Sequence, residues 1–343
     1  MTSTVTKSPS AITQQNPPAV AATPAAAAKP KPDARYIALR NFAISISVLN
    51  IFGYTLLGFE QPWLWPILAV LTGYTTELTF ETISGWVYQR APRYRGNGIR
   101  GLYESLLPAH ITALAVSMLL YCNNQFWPVI FGIVVGVGAK HVLQAPVNGR
   151  MRHFMNPSNF GITAVLLCFS QWCSIAPPYQ FSENANTYFR IMIPLIIATA
   201  GTVINAMLTR KVPLIMGWMG GFFIQAFVRH WIWHVSLFSA LGAMTGIAFV
   251  LFTNYMITDP GTTPFKARNQ FIFGSSVATV YAVMMEFNVV YTLFFATTAV
   301  CALRGTGWWV AHFVAKAKQR RAEAAVEPQS TPLGAETVVA GSV

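Results

Sequence analysis

The sequence predicts an all-α, polytopic membrane protein of about ten transmembrane helices. Three observations carry that expectation. Only 10% of the residues are charged and 54% are hydrophobic, whereas soluble domains are roughly one-quarter charged. Long apolar runs recur from Ile37 to Val314, and a helix needs about 20 such residues to cross a bilayer. The 23 Lys and Arg residues sit mostly in the gaps between the runs. The formal charge of +12 therefore reads as membrane topology, with no nucleic-acid partner.

Taken in order, residues 1–35 are rich in Ala, Pro, Thr, Ser and Gln and hold no apolar core segment. They read as a disordered cytoplasmic tail, not a signal peptide. The transmembrane domain occupies 36–304. Its first span is Ile37–Phe59; the second, Trp63–Ile83, opens on interfacial Trp63 and Trp65. A basic loop with Arg90, Arg93, Arg95 and Arg100 follows. Spans three and four are Ser105–Tyr121 and Phe126–Leu143. A polar break, His153–Gly161, leads into span five, Pro157–Trp172. The next loop, Cys173–Thr187, holds a single charge, Glu183. Spans six to eight are Tyr188–Leu208, Val212–Val228 and Val235–Ile257. After a second break, Thr258–Asn269, come spans nine and ten, Gln270–Met285 and Val289–Leu303. Residues 305–343 read as a basic surface helix, Trp308–Val326, followed by a disordered cytoplasmic tail. With the N-terminus inside, even-numbered turns and both tails collect every Lys and Arg except Arg190 and Arg229. Both termini and both breaks then face the cytoplasm.

The breaks are the centre of interest. Asn156 is a good N-cap and Pro157 suits the first helical position, so a helix starts there with free N–H groups and a positive dipole end. Asp259-Pro260-Gly261-Thr262-Thr263-Pro264 repeats the logic, an Asx residue before proline, with Phe273-Gly274 further on as Phe160-Gly161 is in the first. Two caps on one side can form a single anion pocket lined by Asn156, Pro157, Asn159, Asp259, Thr262 and Thr263, with Lys140 and Arg268 supplying charge. The plainer reading is two surface turns, since Asp-Pro-Gly is ordinary turn chemistry. Gly132, Gly136 and Gly138 ahead of Lys140 signal close helix packing.

Glu77 and Glu81, four apart, share a helix face and mark an ion or proton pathway, because carboxylates at membrane depth are costly. For Glu81 the plainer alternative is an interfacial pair with an arginine such as Arg90. No two of the six histidines fall at matching depth for a haem, and no metal site is expected; His230 and His234 read as decoration of an outer interface. The four cysteines show no CxxC pair and read as buried inert thiols.

Glu77, Leu107-Pro108, Gly132/Gly136/Gly138 with Lys140, and Phe154-x-Asn156-Pro157 to Gly161 together resemble a family. So do Asp259-Pro260 through Thr263-Pro264 to Arg268 and Phe273-Gly274. It is the RnfD/NqrB family, whose members are membrane subunits of the Rnf electron-transport complex and of the sodium-translocating NADH:quinone reductase. The likeness spans about residues 60–275, and Asn156–Gly161 is most similar to its stand-alone branch of enediyne-biosynthesis-like proteins. The resemblance implies a ten-span flavin-carrying protein of the bacterial inner membrane, coupling electron transfer to ion movement beside redox partner subunits. In that family a threonine in a Ser-Gly-Ala-Thr type motif carries the flavin. This sequence lacks the motif, so covalent flavin is not expected, and the expected ligand is non-covalent FMN or riboflavin, or another flat anion. The alternative is a small-molecule permease with no redox role, because paired helix breaks are also how transporters bind.

Overall fold

A computed structural model describes residues 34–96, 98–181 and 184–326. The segments 1–33 and 327–343, expected as tails, and Glu183 lie outside them. The described chain is mainly helical with almost no sheet, as its apolar runs dictate. Helix α1 is Ala34–Phe52, closed by a π turn, Gly53–Leu57; α2 is Leu64–Val87, and α3 is Gly98–Leu119. Helix α4, Trp127–Val142, has Pro128 in its first turn, where no N–H is missed. Helix α5 is Pro157–Cys168, and α6 is Thr187–Val203 with a second π turn, Ile204–Leu208. Helix α7 is Val212–Trp233, and α8, Leu237–Gly242, precedes α9, Ile247–Leu251, with a third π turn at Phe252–Met256. Helices α10, Ala267–Glu286, and α11, Thr292–Val326, complete the bundle.

Among the described residues, strand pairing is confined to two short ladders. Strand β1, Leu120–Tyr121, pairs antiparallel with β4, Ser174–Ile175. Strand β2, Gln144–Val147, pairs with β3, Arg150–His153, in a hairpin ahead of α5. Asn148 and Gly149 take φ of 51° and 76° at its tip, the left-handed pair that a two-residue hairpin turn demands. The stretch between span four and the first break, to which the sequence assigns no element, is therefore a β-hairpin that takes in His153.

Among the described residues, four helices are long and apolar enough to cross a membrane: Tyr36–Leu57, Gly98–Leu119, Thr187–Leu208 and Val212–Trp233. Helices α8 and α9 count as a fifth only as one span bent by 66°. This corrects the expected ten. Two glutamates and several threonines lower the hydropathy of α2. Helices α4 and α5 have 16 and 12 residues, short of the ~20 that a full crossing takes. Helix α10 opens on Arg268-Asn269-Gln270, and α11 runs from its apolar half straight into a basic one. That run also replaces the separate surface helix expected at Trp308–Val326, since α11 is one helix of 35 residues. Span eight is interrupted at Gly246, whose extended backbone (ψ 140°) ends one helical piece and starts the next.

The exposed faces are compatible with lipid. Only 28%, 22% and 33% of the apolar windows of α1, α6 and α7 are buried, and water would not tolerate apolar surface on that scale. Helix α3 is more buried, at 56%, and packs against α1, α2, α4 and α5. The tightest helix pairs are α4 with α5 and α7 with α10. Both are made by glycine: a Cβ on Gly161 would run into Gly132 O, one on Gly136 into Pro157 O, and one on Gly274 into Leu214 O. Gly161→Ala is expected to cost about 1–3 kcal/mol by overpacking. Gly220→Ala, which meets nothing within 4 Å, is the control. Thermal melting in detergent should fall for the first variant and hold for the second.

Candidate functional site

The two breaks touch. Asn156 Oδ1 accepts the Asn159 N–H at 3.1 Å, capping α5, and the Ser158 hydroxyl at 3.0 Å. Its Nδ2 donates to Met256 O at 2.7 Å, at the end of the π turn just ahead of the second break. Asn159 Nδ2 donates to Phe294 O at 2.9 Å and Thr298 Oγ1 at 2.8 Å, fastening α5 to α11. All of these α5 groups are buried. The side-chain amides of the first cap thus bond within the fold, while Asn159 Oδ1 has no hydrogen-bond partner among the described residues. Pro157, Asn159 and Asn156 hold helices together.

The second break is a turn, not a helix cap. Asp259 Oδ2 accepts Thr262 N–H at 3.1 Å and the Thr262 hydroxyl at 2.7 Å, while the Thr263 hydroxyl donates to Asp259 O at 2.6 Å. Helix α10 starts only at Ala267 and has no side-chain cap. Three cations grip the turn's carbonyls. Lys211 Nζ donates to Pro264 O at 2.7 Å, Arg304 Nη1 to Thr262 O, and Arg152 Nη2 to Gly261 O at a long 3.5 Å. Lys211 is 2% exposed and lies 5.4 Å from the Phe265 ring centre. Burial pulls its pKa down to about 8; Asp259 opposes the shift, and Arg304 and Arg152 add to it.

Glu77 and Lys140 come together instead. Glu77, on α2, accepts Lys140 Nζ at 2.5 Å on one oxygen and meets His141 Nε2 at 3.2 Å on the other. The His141 ring stacks on Phe80, with centroids 5.4 Å apart. Lys140 therefore neutralises a buried carboxylate and does not reach the Asn156 cap. Glu81, one turn on, accepts Arg90 Nη1 at 2.6 Å and the Arg93 backbone N–H at 2.9 Å. Arg268 is exposed on the first turn of α10.

Between these groups lies a cavity of about 1270 Å³. Arg90, Arg93, Lys140, Arg150 and Arg152 line it against the carboxylates of Glu77, Glu81 and Glu104. Tyr88, Tyr94 and Phe265 offer aromatic faces. Lys140 and Arg90 are engaged by glutamates, and Arg152 lies over Phe265 at 5.0 Å. Of the expected pocket residues only Lys140 reaches this chamber, with Glu77 and Glu81; Arg268 does not. Sequence reading missed Arg150 and Arg152, which the hairpin presents. The signal was Val147-Asn148-Gly149-Arg150, a hairpin turn in plain view. A second cavity, about 600 Å³ and mostly apolar, lies among α1, α3, α6 and α9, with Asp259 and Ser158 among its few polar groups.

No protein-family model matches the chain, and no curated protein matches it.

Lys140→Ala strands Glu77 with His141 alone. The variant is expected to lose about 3 kcal/mol, since an unpaired buried charge is expensive, and Glu77→Gln in the same chain should recover most of it. Melting of the two variants in detergent checks this. Lys211 predicts a pH effect. Its folded pKa lies below the ordinary 10.5, so the unfolded chain binds more protons between about pH 8 and 10.5. Stability should therefore rise with pH across that window. Lys211→Met should flatten the rise, as melting at pH 7.5 and 9.5 would read.

Proposed function

We propose that the protein is a multi-pass membrane protein whose charged chamber binds a small anionic ligand. In this reading it is a relative of the RnfD/NqrB family of redox-pump membrane proteins, with non-covalent FMN or riboflavin as the ligand. The observation that carries the reading is the chamber's lining, five cations against three carboxylates beside three aromatic rings. Arg150 and Arg152, neither paired with a carboxylate in the described residues, would take a phosphate; arginine's planar fork suits that group. Tyr88, Tyr94 or Phe265 would stack on a flat ring system. Bound flavin would supply one- and two-electron redox chemistry. Glu77, held by Lys140 and His141, would be the proton or cation site beside it. Nothing in the chain matches the family's covalent attachment motif, so the ligand is held by contacts alone.

The charge distribution supports a bacterial inner-membrane protein with both termini and the chamber on the cytoplasmic side. Redox partner subunits would then dock at that face.

A permease is the second reading. The interrupted pair α8–α9, bent by 66°, favours it, because discontinuous helices line substrate sites in transporters.

The test is the visible spectrum of protein purified in mild detergent, before and after denaturation, with FMN titrated into flavin-free protein. Released or bound flavin supports the redox reading, and Arg152→Ala should then weaken FMN binding roughly tenfold or more. A colourless preparation that ignores FMN sinks it, and solute uptake by vesicles carrying that preparation would establish the permease.

A further inference from the structure

At the end of the bundle away from the breaks, the chain between α3 and α4 meets the chain after α5. Leu120 stands opposite Ile175 and Tyr121 opposite Ser174, and Ala176 N–H donates to Leu119 O at 2.9 Å. Hydrogen-bonded and non-hydrogen-bonded pairs alternate along an antiparallel ladder, and side chains lie closest in the latter. Leu119 and Ala176 are a bonded pair, so Leu120/Ile175 is not, Tyr121/Ser174 is, and the next pair outward is not. Carried one step past the ladder, the same register sets Cys122 opposite Cys173. Both are buried, and their thiols lie within hydrogen-bonding reach of each other. A non-bonded cross-strand pair has Cα atoms about 4.5 Å apart, inside the span a disulfide bridges.

The surroundings point the same way. Neither turn, 120–126 or 169–186, contains a Lys or Arg. Under the topology proposed above, both then face the outer compartment, where disulfides persist. Buried amides already knit the two turns: Gln61 Nε2 donates to Leu120 O at 3.3 Å and Gln180 Oε1 at 3.1 Å, and Gln180 Nε2 to Met118 O at 3.3 Å.

We propose that Cys122 and Cys173 are a disulfide site, closed by exchange with a disulfide-carrying oxidoreductase of the outer compartment. One cysteine, as thiolate, attacks the oxidant's S–S bond and expels one of its sulfurs. The second cysteine attacks the mixed disulfide, forming Cys122–Cys173 and releasing the oxidant as a dithiol. The oxidant carries off both electrons, and the two cysteine protons end on its sulfurs. Burial pushes both thiols above the ordinary cysteine value, so thiolate is scarce once the turns have docked. The exchange belongs to insertion, before they close, and the finished bond is shielded from reductants. It ties α3 and α4 to α5 and α6 at the end opposite the chamber.

The test is a thiol count on the full chain in membranes from cells with an oxidising outer compartment. Samples are acid-quenched, denatured, and tagged with maleimide-polyethylene glycol with and without prior reduction. Of the four cysteines, two should take tags before reduction and all four after it. Cys122→Ser and Cys173→Ser should each take three without reductant. Four tags on the unreduced wild type would overturn the proposal, as would a single tag on unreduced Cys122→Ser. Cys168, exposed nearby, separates this from the topology through a membrane-impermeant maleimide on intact cells. If it labels and the wild type still takes four tags, the disulfide fails alone. If it labels only after permeabilisation, disulfide and topology fall together.

Discussion

A helix that ends inside an apolar bundle must find partners for its loose backbone groups, because no water is at hand to take them. This constraint organises the break-bearing end of the molecule. Asn156 spans the gap with one side chain, its oxygen on its own helix and its amide on Met256 O. At the facing turn, the carbonyls of Gly261, Thr262 and Pro264 are met by Arg152, Arg304 and Lys211. Polar residues that look in the sequence like an open anion cradle are occupied in holding two irregular segments against each other. The arginines that line the chamber stand one layer out, on the hairpin.

The all-helical class was plain in the chain, as were most helix positions, because apolar runs separated by basic gaps admit few other readings. The pairing of Glu81 with Arg90 was also within reach, being nine residues apart across one turn. Contacts between distant residues were not. Glu77 and Lys140 are 63 positions apart, and each alone reads as an isolated charge with no partner named. At Asp259 the likeness to the first cap misled and the plainer turn chemistry of Asp-Pro-Gly held: the chain turns on Thr262 and Thr263 and starts a helix only at Ala267. The count of ten spans relied on hydropathy and on where the basic residues fall. It missed that α5 has 12 residues and that Gly246 splits a continuous apolar run.

Electrostatics explains why the chamber differs from the breaks. Around the second break, cations outnumber Asp259 but donate to carbonyls and lie over the rings of Phe265, Phe273 and Trp308. Within the chamber, three of the five cations are matched by carboxylates: Lys140 at 2.5 Å, Arg90 at 2.6 Å and Arg93 at 3.8 Å. Close pairing of that kind lowers the cost of burial without adding much net stability. The surplus falls on Arg150 and Arg152, next to a hairpin that the β2–β3 ladder keeps rigid.

Helix α11 has a mechanical consequence. Its 35 residues make a rod of roughly 52 Å at 1.5 Å per residue, and from Val310 to Glu323 every residue is exposed. Near its base the same rod carries Thr298, bonded to Asn159, and Arg304, bonded to Thr262. Trp309 Nε1 also holds Gln144 O on the hairpin at 3.1 Å. A torque on the protruding arm is therefore borne at once by both interrupted segments and by the strand that leads to the arginines.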